Sequence, residues 1–248
     1  MLKIITCNKL NYKKKLFSYV NTTSINNQKR SEIVSNIIKK IKKNKDTALI
    51  NYSNELDNNN FKSFKSLKVT PKEISNALSQ CSQAFHDSIK LAVQRIMSYQ
   101  KKLMPRNLYY KDELGIKLGS IWSPLESCGL YVPGGKALYP SSVLMNAIPA
   151  KVAGVKRIVI TTPANNNLLR PEILVAANAV GIREIYKIGG AQAIAALAFG
   201  TESIERVDKV VGPGNSFVTE AKKQLYGHVG IDSIAGPSEI LVRADSHN

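Results

Sequence analysis

Cysteine is scarce in this chain of 248 residues: Cys7, Cys81 and Cys128 are odd in number, widely spaced and form no CxxC pair. That excludes a disulfide framework as the source of stability and points to a reducing, cytoplasmic setting. Long apolar runs are missing too. The longest, residues 191–199, is less than half of the roughly 20 residues that a membrane-spanning helix needs. The opening MLKIITCNKLNYKKKLF has charges with no apolar stretch behind them, which argues against a secretory leader. Acidic side chains number 18 against 35 lysines and arginines, giving a formal net charge of +17. Residues 1–110 hold 21 basic and 6 acidic residues, and residues 111–248 the other 14 and 12. A basic segment of this kind can bind nucleic acid, but such arms also carry aromatic stacking platforms or a groove-reading helix. Neither is evident, and solvated helix faces rich in lysine, asparagine and isoleucine account for the charge more simply. Nucleic-acid binding stands as an alternative; the expected partners include neither nucleic acid nor membrane.

What is present is a composition, 44% hydrophobic and 21% charged, able to build a packed globular core. Residues 1–105 read as helical. Over 31–45, Ile33, Val34, Ile37, Ile38 and Ile41 recur at helical spacing, with lysines on the other face. Thr70-Pro-Lys-Glu73 is a helix start, with Thr70 as cap, Pro71 in the first turn and Glu73 closing a capping box. One helix is expected to follow, with Ile74, Ala77, Leu78, Cys81, Phe85, Ile89, Ala92, Val93 and Ile96 on its apolar stripe and His86 as a structural residue beside it. Pro105 breaks that pattern, and residues 108–122 suggest a hairpin or a pair of short strands.

Beyond it the texture changes to a strict alternation. Strands are expected at 129–132, 157–162, 184–188, 207–211 and 239–242, and helices at 141–153 (bent at Pro149), 171–180, 191–199 and 216–225. Strands and helices alternating at these lengths imply an α/β fold with a parallel sheet covered by helices on both faces. Four glycine-rich turns adjoin those strands: 132–135, 188–192, 211–215 and 235–239. Ligands of open parallel sheets sit beyond the strands' carboxyl ends, where glycines let backbone N–H groups approach and helix N-termini favour phosphate. Four such turns, three of them ending in Gln192, Asn215 and Ser238, point to a polyphosphate or dinucleotide ligand. Neither GxGxxG nor GxxxxGK[ST] occurs, nor do HExxH or metal-type Cys/His clusters. A nucleotide-binding module without chemistry of its own satisfies these observations as well as an enzyme does.

Five strings narrow the choice. Gly129-Leu-Tyr-Val-Pro-Gly-Gly135, the YPSSVLMNAIPA run of 139–150, the GGAQAIAALAFG run of 189–200, Val207-Asp-Lys-Val-Val-Gly-Pro-Gly-Asn215 and the IDSIAGPSE run of 231–239 resemble, in order and spacing, the histidinol dehydrogenase family. The resemblance is dense from about Gly119 to Asp245 and looser before it. It implies zinc- and NAD-dependent oxidation of L-histidinol to L-histidine through an aldehyde, in a homodimer of histidine biosynthesis. On it, Tyr131, Gln192 and Asn215 match cofactor-contacting positions and Ser238 a substrate-contacting one. Amide and phenol groups suit that task, because they orient a cofactor without placing charge near the nicotinamide. On residue type alone, Tyr131 can equally be a core aromatic, and Asn215 and Ser238 helix or turn caps. The zinc ligands and the Glu–His general bases of the family are expected after residue 248, so no catalytic or metal residue is assigned here; His228 and His247 match none of them. The same resemblance implies a Rossmann-like cofactor domain at 120–238, inserted into a second, incomplete α/β domain to which 1–119 and 239–248 belong. Such a chain alone is expected to be inactive.

Overall fold

The computed structural model describes residues 6, 8, 10–20, 25–134, 139–236 and 242. After a short helix α1 (Tyr12–Val20), helix α2 runs from Ile25 to Asp57 and is interrupted at Lys45, whose φ of 43° and ψ of −120° are not helical. Val34, Ile37 and Ile41 of the expected stripe are buried, whereas Ile33 is exposed. The capping box at Thr70 forms in full: Thr70 Oγ1 accepts from Glu73 N, and Glu73 Oε2 accepts from Thr70 N. The single helix expected after it is two, α3 (Pro71–Gln80) and α4 (Gln83–Lys102). Cys81 is extended and Ser82 caps α4 by accepting from Phe85 N, so a local cap overrides an apolar period that runs on through the break.

Strands β1 (Leu108–Lys111) and β2 (Lys117–Ser120) pair antiparallel as a separate hairpin, exposed along its whole length. The main sheet has five parallel strands: β3 (Ser127–Tyr131), β4 (Arg157–Thr161), β5 (Glu184–Tyr186), β6 (Lys209–Val211) and β7 (Gly230–Ile231), in the order β5-β4-β3-β6-β7. Helices α5 (Pro140–Ala153), α6 (Pro171–Ala179), α7 (Gly190–Phe199) and α8 (Ser216–Leu225) complete the alternation, with Pro149 inside α5. The expected strands and helices between 127 and 225 are thus present, within a few residues at their ends. β7 was not foreseen, and the strand expected at 239–242 lies outside the described residues apart from Val242, which is not in a strand. Leu130 and Ile160 point to the face covered by α5 and α6, while Val159 and Val210 meet α7 and α8. Period-two alternation with both faces apolar is what a doubly covered sheet requires.

The N-terminal helices add outer layers to this body. α2 packs along α7 and α8, and α3 and α4 along α5 and α6. Val34, Ile41 and Leu49 are fully buried in the α2–α7 layer, each worth about 1.5–3 kcal/mol of apolar burial. The C-terminal end of α2, and with it Asp57, is thereby held beside the turn that opens α7. Among the described residues no helix is long and apolar enough to cross a membrane.

Candidate functional site

The sheet grows from β3 through β4 to β5 on one side and through β6 to β7 on the other. Neighbouring strands whose connections diverge in this way leave a crevice beyond their carboxyl ends. β3 ends there at Tyr131 and β6 at Val211. Gly212 brings the two together: with φ at +114°, a Cβ on it would lie 2.1 Å from the Tyr131 carbonyl oxygen, so only glycine allows this approach. The loop is fixed from below by Lys222, whose buried ammonium donates to Gly212 O at 2.5 Å and to Asp232 Oδ1 at 2.7 Å. Asp232 Oδ2 in turn accepts from Gly212 N at 2.9 Å. Burial works against the charged form of Asp232, but the Lys222 ammonium and the Gly212 and Ser233 N–H groups prevail and hold its carboxyl below the usual range.

A cavity of about 1550 Å³ opens at this crevice, and Tyr131, Gln192 and Asn215 all line it. Tyr131 is buried, so it is a core aromatic and a cavity wall at once. Its Oη accepts from Gly190 N at 3.1 Å, which leaves its own proton to donate elsewhere. Burial pushes the phenol up to about 12, with the Gly190 N–H opposing and the Asp57 carboxylate adding to the rise, so it stays protonated at neutral pH. The expectation that the 188–192 turn offers its N–H groups to a phosphate is modified here: Gly190 N is already taken by Tyr131.

Gln192 carries the strongest mark of a ligand site. It is 0% exposed, and among the described residues neither Oε1 nor Nε2 has a hydrogen-bond partner. Each unpaired buried group costs on the order of 1–3 kcal/mol, and native proteins rarely leave both ends of an amide unmet. The backbone makes room for that amide at Gly190, where φ is +63° and a Cβ would stand 2.5 Å from Gln192 Oε1. Asn215 serves two ends. Its Oδ1 caps α8, accepting from Phe217 N and Val218 N at 3.0 and 3.1 Å, and the cap fixes the side chain at the cavity wall. Ser238 lies outside the described residues.

Charged groups outside the five recognised strings share the cavity: Glu55, Asp57 and Glu73, and Arg170 as the one cation among the described lining residues. Glu73 is engaged, receiving Lys187 Nζ at 2.5 Å and closing the Thr70 cap. Asp57 is not: its Oδ2 is buried without a hydrogen-bond partner among the described residues. Burial pushes its carboxyl up to about 6, the nearby Gly189 N–H opposing without reaching bonding geometry. Asp57 sits at the edge of an asparagine-rich tract, so nothing in its sequence neighbourhood marks it. No three His, Cys, Asp or Glu side chains among the described residues are grouped to hold a metal ion.

The sequence model of the family described as histidinol dehydrogenase matches residues 20–248. The histidinol dehydrogenase of Agrobacterium fabrum (strain C58) is 48% identical over 237 residues, covering 96% of this chain and 55% of that protein. That of Rhizobium meliloti (strain 1021) is 50% identical over 216 residues, covering 87% and 50%. The crystal structure of histidinol dehydrogenase from Elizabethkingia anophelis superposes with a TM-score of 0.79 at 39% identity, covering 84% of this chain and 48% of that one. The chain thus spans about half the length of the curated relatives it matches. A parallel sheet in this strand order, glycine turns at its switch point and a family match over nearly the whole length agree: the chain belongs to the histidinol dehydrogenase family.

Proposed function

We propose that these residues form the NAD-binding crevice of an enzyme that oxidises L-histidinol to L-histidine. The observation that carries the reading is Gln192: a fully buried amide, unmet at both ends among the described residues, lining a cavity roomy enough for a dinucleotide. An amide needs one donor and one acceptor from its ligand, and a nicotinamide or adenine supplies both. Tyr131 adds a neutral O–H donor, and Asn215 adds its Nδ2 donor beside the α8 N-terminus. When bound, NAD⁺ supplies the hydride acceptor; these side chains orient it and keep water from the crevice while adding no charge.

Zinc and the Glu–His bases belong, on the same reading, to residues outside this chain, since the chain covers only about half of its relatives. The 248 residues alone then bind cofactor without turning histidinol over. Ser238 is proposed to contact the amino alcohol, and 120–238 to be the cofactor domain set into a second one built from 1–119, 239–248 and more. The whole protein is proposed to be a homodimer in the cytoplasm, where Cys81 and Cys128 are free thiols. Exposed Leu108, Tyr109, Tyr110, Ile121 and Trp122 on and after the β1–β2 hairpin support further burial of this surface in the whole protein.

Calorimetric titration of NAD⁺ into the chain tests the reading. Saturable binding is expected, weakened about tenfold by Gln192→Ala, the worth of one or two hydrogen bonds. Binding that Gln192→Ala leaves unchanged would place the cofactor elsewhere.

A further inference from the structure

Asp57 is the cavity-lining carboxylate that the folded chain leaves unanswered. Glu73 is bonded to Lys187 and Thr70, and Glu55 is exposed, whereas Asp57 Oδ2 is buried with no hydrogen-bond partner among the described residues. It stands against the Gly189 turn, where a Cβ would come within 3.2 Å of Oδ2, and it shares the cavity wall with Tyr131 and Gly190. Among the described residues no cation answers it: Arg170, the one cation lining the cavity, is exposed at the start of α6, and the influences on the Asp57 carboxyl are its burial and the Gly189 N–H. A carboxylate in this state accepts from neutral donors and repels phosphate. Burial that raises it to about 6 fits a group whose partner arrives with the ligand.

We propose that Asp57 reads the ribose of the dinucleotide, accepting a hydrogen bond from the adenosine 2′-hydroxyl and excluding a 2′-phosphate, so that the site takes NAD⁺ and rejects NADP⁺. The proposal rests on the cofactor reading above and adds to it the residue that decides between the two nicotinamide nucleotides. The chemistry is that of other dinucleotide folds, in which a carboxylate near the phosphate turn meets the ribose diol. The source differs: here the carboxylate comes from the end of α2, an outer helix, and not from a strand of the cofactor sheet. Specificity arises through the repulsive element as much as through the bond.

The test is a pair of titrations, NAD⁺ and NADP⁺, into the 248-residue chain and into Asp57→Asn, Asp57→Ser and Gln192→Ala, each checked for an unchanged circular dichroism spectrum and a cooperative melt. The chain is expected to prefer NAD⁺ by about a hundredfold, one lost charged hydrogen bond plus repulsion. Asp57→Asn and Asp57→Ser should each weaken NAD⁺ about tenfold and bring the two nucleotides within about threefold of each other. Gln192→Ala should weaken both and leave the preference intact. If NAD⁺ binds, Gln192→Ala weakens it and both Asp57 variants keep the full preference, the ribose role is wrong and the cofactor reading stands. If neither nucleotide binds the unchanged chain, the cofactor reading fails and the ribose role falls with it. Two variants of different size guard against a folding defect in one of them.

Discussion

Replacing Lys222 by Met removes the ammonium that ties the 212–215 loop to the end of the sheet. In the folded chain Lys222 is buried and bonded to both Gly212 O and Asp232 Oδ1, while the Asp232 side chain keeps about a third of its surface in water. Removing one partner of a fully buried pair costs about 3–5 kcal/mol, because the other charge is stranded. The partial solvation of Asp232 lowers that to about 2–3 kcal/mol. The pH dependence follows from Asp232, whose carboxyl is held below its ordinary 3.8. A group with a depressed folded pKa contributes stability that is present above its unfolded value and lost as pH falls through the folded one. The penalty of Lys222→Met is therefore expected in full at pH 7 and should shrink below about pH 4. Urea unfolding across that range reads it, and the double variant Lys222→Met/Asp232→Leu should recover more than half of the loss at pH 7. A cost under about 0.5 kcal/mol at pH 7, the level of an exposed pair, would refute the view that this contact fixes the loop.

Asp57→Asn should do the opposite to stability. With its folded pKa raised from 3.8 to about 6, Asp57 favours the fold below the lower value and loses that contribution as pH rises through the higher one. The rise corresponds to ~3 kcal/mol, reduced by partial solvent access to about 1–2 kcal/mol. Asp57→Asn should thus raise stability at pH 8 and change little at pH 4; equal effects at both would contradict the burial argument. Gly190→Ala puts a Cβ 2.5 Å from Gln192 Oε1 at a φ of +63°, and should cost about 1–3 kcal/mol and most of the NAD⁺ affinity. Gly227→Ala carries a similar backbone strain at φ +99° with nothing within 4 Å, so it should lose stability and keep the affinity.

The alternation of apolar strands and helices from Ser127 to Leu225 was legible because each element repeats a local pattern: a glycine turn, an apolar run, a capped helix. The Thr70 cap was legible for the same reason, since its three bonds lie within four residues. The break at Cys81 and Ser82 was not, because the stripe Ile74 to Ile96 continues in phase across it and the deciding bond is one serine cap. At the site, Tyr131, Gln192 and Asn215 stand in strings specific enough to be recognised, and the cavity brings the three together. Asp57 and Arg170 escaped notice, because their place is set by how α2 and α6 pack on the sheet and no short-range pattern encodes that. Asn215 shows how two readings of one residue hold together: its Oδ1 is a helix cap, and that cap is what fixes it at the cavity.

Hydrogen exchange of the backbone, with and without NAD⁺, tests the central claim that Tyr131, Gln192 and Asn215 wall one cofactor crevice. The N–H groups of residues 131, 132, 134, 190–193 and 214–218 are expected to slow together on saturation, while the β1–β2 hairpin and helix α4, neither of which lines the cavity, stay unchanged. Protection confined to the hairpin or to α4, with none at 190–193, would contradict the account.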